Sequence, residues 1–139
     1  HKREIRTVYN HNEQGCAIAA EAYARLTGKI ASVCVTSGPG GTNAITGVMG
    51  GWLDSIPMFI LSGQVKRETT MWSVPELALR QLGDQEFQIA DCVKNMTKYA
   101  VMVTEPEKIK YHLENQTYIE TLLCVCIVLF SILATIYHL

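Results

Sequence analysis

The chain has 139 residues, 48% of them hydrophobic and 18% charged, with a formal net charge of −1. That length suits one domain of ordinary size, and that composition supports a buried core and excludes an intrinsically disordered chain. The near-neutral balance, with no basic patch and no acidic tail, argues against nucleic acid as a partner.

Residues 5–9, IRTVY, form a short strand candidate, followed by the punctuating residues 10–12. Asn12 is a candidate N-cap for the helix EQGCAIAAEAYARLT, and Gly28 is its expected stop. Ala17, Ala20, Ala24 and Leu26 are expected on its buried face. Residues 30–36, IASVCVT, are β-branched and apolar, as in a parallel strand buried on both faces. A Gly/Pro turn follows, then a helix over 42–55, TNAITGVMGGWLDS. Its glycines Gly47, Gly50 and Gly51 lower helix propensity, so another backbone is expected to pass close by. Residues 57–63, PMFILSG, read as a second buried strand.

The stretch 64–84 is polar and irregular, too long for a plain connection, and such loops often carry function. A weak helix over 85–93, a strand over 97–103 and an amphipathic helix over 106–114 complete the pattern, with Pro106 in a favourable first turn. Strands alternate with helices, which predicts an α/β fold: a doubly wound parallel sheet with helices on both faces, incomplete at this length. The domain is expected to occupy residues 1–114.

Residues 115–139 form a separate tail, of which 121–139, TLLCVCIVLFSILATIYHL, carries no charge, glycine or proline. The tail reads as helix-like and is about long enough to cross a hydrocarbon core of ~30 Å. Three readings stand side by side: a membrane anchor through 121–139, a buried C-terminal segment, and a non-native end. The five cysteines, Cys16, Cys34, Cys92, Cys124 and Cys126, are odd in number and without a CxxC pair. They read as reduced thiols of a cytoplasmic protein, mostly small core residues, and not as a disulfide framework or a metal site.

The turn Gly38-Pro39-Gly40-Gly41-Thr42-Asn43 after a strand raises the question of phosphate binding. No lysine follows, so it is not a P-loop, and Asn43 stands where a dinucleotide fingerprint needs its third glycine. The plain alternative is a tight strand-to-helix turn that only glycine fits. Glu13 at a helix start either complements the helix dipole in solvent or, if buried between domains, becomes a proton carrier. Asp54 is read as bonding nearby backbone groups, His11 as polar packing or a catalytic helper to Glu13, and Met49 and Trp52 as core.

Four segments in order, HNEQGCAIAAEAYARLTG, VTSGPGGTNAITGV, DSIPMFILSGQV and QEFQIADCVKNMTKYAVMV, resemble the N-terminal, pyrimidine-binding domain of thiamine-diphosphate enzymes of the acetolactate synthase group. The resemblance covers roughly residues 11–114. It implies a doubly wound α/β domain in which Glu13 bonds the aminopyrimidine ring nitrogen, favouring the imino tautomer that removes the thiazolium C2 proton. The carbanion so formed attacks a 2-keto acid such as pyruvate, which loses CO₂ before the adduct joins a second 2-keto acid, as in branched-chain amino acid biosynthesis. The resemblance further implies ring contacts from Thr36, Pro39, Gly40 and Asn43, and a substrate-side or interface position for Gln14 and Gln64. The loop 65–84 would border that site.

In the family the diphosphate and its Mg²⁺ are held by a separate C-terminal domain, and a middle domain carries FAD contacts in true synthases; neither motif occurs in these residues. The segment MWSVPELALRQLGDQ also departs from the usual synthase loop. The chain is therefore expected to supply half a site, as a homodimer or paired with a diphosphate-binding domain, and to be inactive alone. The rival expectation is a non-catalytic interaction or membrane-associated protein derived from that domain.

Overall fold

The computed structural model describes residues 6–120 and 126–130, with side chains as far as Glu114. Five helices and four strands carry the fold: α1 (Glu13–Thr27), β1 (Ala31–Val35), α2 (Pro39–Asn43), α3 (Ile45–Leu53), β2 (Met58–Gly63), α4 (Ile89–Val93), β3 (Tyr99–Val103), α5 (Ile109–Glu120) and β4 (Cys126–Phe130). Short 3₁₀ turns fill the long connection after β2 and precede α5. The sheet is parallel throughout, in the order β1-β2-β4-β3.

Helix α1 starts and stops on side chains visible in the sequence. The Asn12 side chain accepts the Gly15 N–H at 2.8 Å, and Gly28 closes the helix in the left-handed region at φ 66°. Ala17, Ala20 and Ala24 are buried against the sheet and α3. Leu26, expected on the same face, is 85% exposed. Two residues beyond Ala24 is about 200° of helical rotation, so Leu26 falls on the opposite side. The helix expected over 42–55 is instead two, because Ala44 interrupts the regular turn between α2 and α3.

The expected close backbone approach occurs at Gly47. A Cβ there would lie 2.5 Å from the Ala17 Cβ and 2.7 Å from the Ile18 nitrogen. Small residues on both helices let α1 and α3 touch backbone to backbone. Gly50 meets nothing within 4 Å, so packing gives no reason for glycine at that position. Asp54, at the end of α3, reaches Arg25 of α1 at 2.6 Å, and Glu21 binds the same guanidinium. The pair Asp54 and then Glu21 raises the Arg25 pKa further above its ordinary range.

One sheet face packs on α1, α3 and α4, around Val33, Val35, Met58, Ile60, Val48, Ile89 and Val93. Tyr99 points to the other face, where its hydroxyl meets His112 Nδ1 of α5 at 2.6 Å. Helices thus stand on both faces, as the alternation predicts. The expectation that β1 is buried on both sides does not hold: its residues alternate buried and exposed, because α5, the helix on the other face, packs over β3 and β4. Cys34, on that exposed face, and Cys92, on α4, are exposed thiols and not core residues, and Met49 is also exposed. Residues 6–9 of the expected first strand have no regular structure, and Ile5 lies outside the described residues.

The helix-like reading of the tail is corrected at its centre. Cys126–Phe130 is β4, hydrogen-bonded in parallel to β2 on one side and β3 on the other. A short apolar run with adjacent β-branched Ile127 and Val128 suits helix and strand alike by periodicity. As a strand it pairs its backbone groups with β2 on one side and β3 on the other, which the local pattern alone does not reveal. A membrane-crossing helix over 121–139 is incompatible with that strand, and among the described residues no helix is long and apolar enough to cross a membrane. Residues 121–125 and 131–139 lie outside the described residues.

Two stability predictions follow from this packing. Gly47→Ala should lower the urea unfolding free energy by about 1–3 kcal/mol through overpacking, while Gly50→Ala should leave it unchanged or raise it by up to ~1 kcal/mol. Equal midpoints for the two variants would refute the close helix contact. Removing residues 121–139 should abolish the cooperative urea transition, because β2 and β3 lose their shared neighbour. An unaltered transition would show that β4 is dispensable.

Candidate functional site

Glu13 is the first residue of α1, directly after the capping Asn12, and is half-buried. Its Oε2 accepts a hydrogen bond from Asn43 Nδ2 at 2.8 Å. Asn43 is the last residue of α2, so the bond ties the start of one helix to the end of another. The Asn43 bond first, and then Glu13's own backbone N–H, hold the carboxyl below its ordinary value of 4.5, against a weaker opposing effect of burial. Of the two roles open to this carboxyl, the described residues hold it as a solvent-reached anion. The burial that would make it a proton carrier is not supplied by these residues.

Between Glu13 and β1 lies the glycine turn. A Cβ on Gly40 would meet Thr36 Cγ2 at 2.6 Å and would lie 3.6 Å from Glu13 Oε1. Gly40 is buried, whereas Thr36 and Asn43 retain exposed surface. Pro39 opens α2, its fixed φ suiting the first helical position. Gly38 sits at φ 50°, and a Cβ there would come within 2.2 Å of the Gln85 carbonyl oxygen. Gly41 packs on Ser62 and Ile89. The turn is therefore closed in by protein at Gly38 and Gly41, and α2 is only five residues long. This is the tight-turn reading, not a phosphate cradle.

Glu13, Thr36, Gly40 and Asn43 are brought together, with Pro39 on the same turn. Gln14 is exposed at the second position of α1. Gln64, expected on a substrate or interface side, is buried just after β2. It is 2% exposed, its Nε2 donates to the Phe87 carbonyl at 2.8 Å, and its Oε1 accepts from the Val65 N–H at 3.0 Å. Both ends of the amide are thus occupied in fastening the two ends of the long loop. Gln64 also lines a cavity of about 440 Å³ with Arg67, Thr70, Trp72 and Thr104. His11 is exposed, as polar packing at a helix start allows.

Two polar residues were passed over in the sequence. Glu86 is 6% exposed and its carboxylate is surrounded by backbone N–H groups of the same loop. Gln88, at the entry to α4, has a buried Nε2 without a hydrogen-bond partner. Polar side chains flanking Phe87 just before an apolar helix were the available signal.

A carboxylate held by an amide beside a buried glycine can bond a nitrogen of a flat heterocycle. No group of three or more potential metal ligands occurs among the described residues.

Comparison with known proteins shows the family of this chain. The family model for the N-terminal TPP binding domain of thiamine pyrophosphate enzymes matches residues 1–102. The acetolactate synthase large subunit of Haemophilus influenzae is 36% identical over 118 residues, covering 83% of this chain and 18% of that protein. That of Buchnera aphidicola is 41% identical over 101 residues, or 70% of this chain and 16% of that protein. The chloroplastic acetolactate synthase of Arabidopsis thaliana is 35% identical over 120 residues, 84% of this chain and 16% of that protein. The chain thus spans less than a fifth of the length of these relatives. By its match over residues 1–102, the chain belongs to the thiamine pyrophosphate enzymes, within their N-terminal TPP-binding domain.

Proposed function

We propose that this chain forms the pyrimidine-binding half of an acetolactate-synthase-like site that decarboxylates a 2-keto acid such as pyruvate and joins it to a second one. The observation that carries the reading is the Glu13–Asn43 bond across the buried Gly40, inside the family's matched domain. The residues fit the cofactor's ring: Glu13 offers a carboxyl to a ring nitrogen, beside the buried Gly40 on which the Thr36 methyl packs. Thiamine diphosphate, when bound, supplies the electron sink that decarboxylation of a 2-keto acid requires.

The chain's own residues then divide the work. Glu13 holds or releases a proton at Oε1 or Oε2 facing the ring. Asn43 fixes the carboxyl's orientation. Thr36, Pro39 and Gly40 form the wall against which the ring lies. Gln14 and Gln64 stand toward the substrate or interface side, with Gln64 acting by holding the loop 65–84. The diphosphate and its Mg²⁺ belong to a separate domain, reached by homodimerisation or by pairing with such a domain.

The electrostatics bear on this division. A carboxyl whose pKa is lowered by folding contributes stability that is complete above its ordinary value of 4.5 and is lost as pH falls through the folded value. For proton relay near neutrality the same group must be raised, which requires desolvation by a covering surface.

Asn43→Ala is therefore expected to raise the Glu13 titration midpoint, read by carboxyl carbon NMR, toward the ordinary value. An unmoved midpoint would remove Asn43 from its orienting role. In an enzyme assembled with a diphosphate-binding domain, Glu13→Gln should slow exchange of the cofactor C2 proton by about 10²–10⁴-fold. Undiminished exchange would exclude Glu13 as the ring-nitrogen partner.

A further inference from the structure

The connection between β2 and α4 has no long element of its own, yet one buried acid organises it. Glu86 Oε1 and Oε2 accept the Met71 N–H at 2.9 and 3.1 Å. Oε2 also accepts the N–H groups of Leu82 at 2.9 Å and Gly83 at 3.2 Å. The carboxylate thereby joins the early part of the loop to its end. Such charge-assisted bonds are the strong ones, and a buried carboxylate deprived of them is costly. Gly83 is pressed into the same knot: a Cβ there would lie 2.7 Å from the Thr69 carbonyl oxygen and 2.7 Å from Val65 Cγ2.

The consequence reaches the glycine turn. The Glu86 N–H returns to the Gly83 carbonyl at 3.2 Å, closing a turn in which Gln85 takes the left-handed conformation at φ 57°. That conformation disfavours a non-glycine residue and persists where the surroundings enforce it. It sets the Gln85 carbonyl against Gly38, where an added Cβ would come within 2.2 Å of that oxygen. Gly38 in turn accepts the Thr42 N–H of α2 at 3.0 Å, and the next residue, Asn43, holds Glu13.

We infer that Glu86 is a positioning residue for the Glu13 site: it fixes the loop end that braces Gly38 and, through α2, sets Asn43 against the carboxylate. Its meaning for catalysis rests on the proposed function above. Its structural content does not, and can be read without cofactor.

The test uses the chain as it is, comparing Glu86→Gln with Glu76→Gln, an exposed acid of the same loop. The Glu13 midpoint is followed by carboxyl carbon NMR, and loop opening by tryptic cleavage after the exposed Arg80. Removing a negative charge can by itself only lower the Glu13 midpoint. Loss of bracing loosens the Asn43 bond and raises it, so the sign separates positioning from simple electrostatics. The expected result is a raised midpoint and at least about tenfold faster cleavage in Glu86→Gln, with neither change in Glu76→Gln. Faster cleavage with a midpoint unchanged or lowered would confine Glu86 to its own loop and overturn the inference, as would no change in either readout. Should Glu86→Gln not fold, Glu86→Asp, which keeps the charge with a shorter reach, is read by the same criteria. Failure of the unaltered chain's parent enzyme to bind thiamine diphosphate would sink the functional reading and leave this result standing.

Discussion

How closely the backbone at Gly38–Gly41 can approach its neighbours governs the rest of the site. Gly38 lies against the Gln85 carbonyl, Gly40 against Thr36, and Gly41 against Ser62 and Ile89. Each contact comes from a different part of the chain: the loop end, the exit of β1, and the β2–α4 packing. A Cβ at any of them would force one of these elements away. The turn's position is thus set from three directions. Asn43, at the end of a five-residue helix leaving the turn, inherits that position. The hydrogen bond to Glu13 follows from it.

The electrostatic state of Glu13 follows from the same geometry. An amide donor stabilises the anion, and little desolvation opposes it. A ring-nitrogen partner needs the reverse balance, a carboxyl able to carry its proton near neutrality. The described residues supply orientation and leave solvent at the carboxyl. Covering the carboxyl with a second surface would strengthen the desolvation already opposing the Asn43 bond, without any change in the chain itself. This division agrees with a domain spanning less than a fifth of its relatives' length.

Much of the scaffold was legible because its determinants are local. Asn12 and Gly28 bound α1 by their own backbone and side-chain preferences, and the apolar runs of β1, β2 and β3 lie where they read. Gly47 was legible as a close approach, although which helix approaches it was not. The misreadings have non-local causes. Leu26 fails by helical phase, β1's exposed face because α5 packs over β3 and β4, and β4 because its pairing with β2 and β3 is invisible to local periodicity. At the site, Glu13 and the turn could be found from motifs in order. Gln64 could not be placed, since its role depends on Phe87, which the loop brings back from 23 residues away. The bonds of Glu86 were hidden for the same reason, its donor Met71 lying 15 residues earlier.

The long loop shows how a segment poor in regular structure can still be definite. Its interior is polar: the Glu86 carboxylate and the Gln64 amide satisfy backbone groups that would otherwise be buried unpaired. Its exterior carries apolar side chains, with Trp72, Leu77, Leu82 and Phe87 all exposed. That is the reverse of a small hydrophobic core, and it has a mechanical consequence. Directional hydrogen bonds fix a backbone path more narrowly than non-directional apolar contacts do. The loop therefore holds its shape without folding its apolar residues inward, and its last turn can transmit that shape to Gly38 through a single backbone carbonyl.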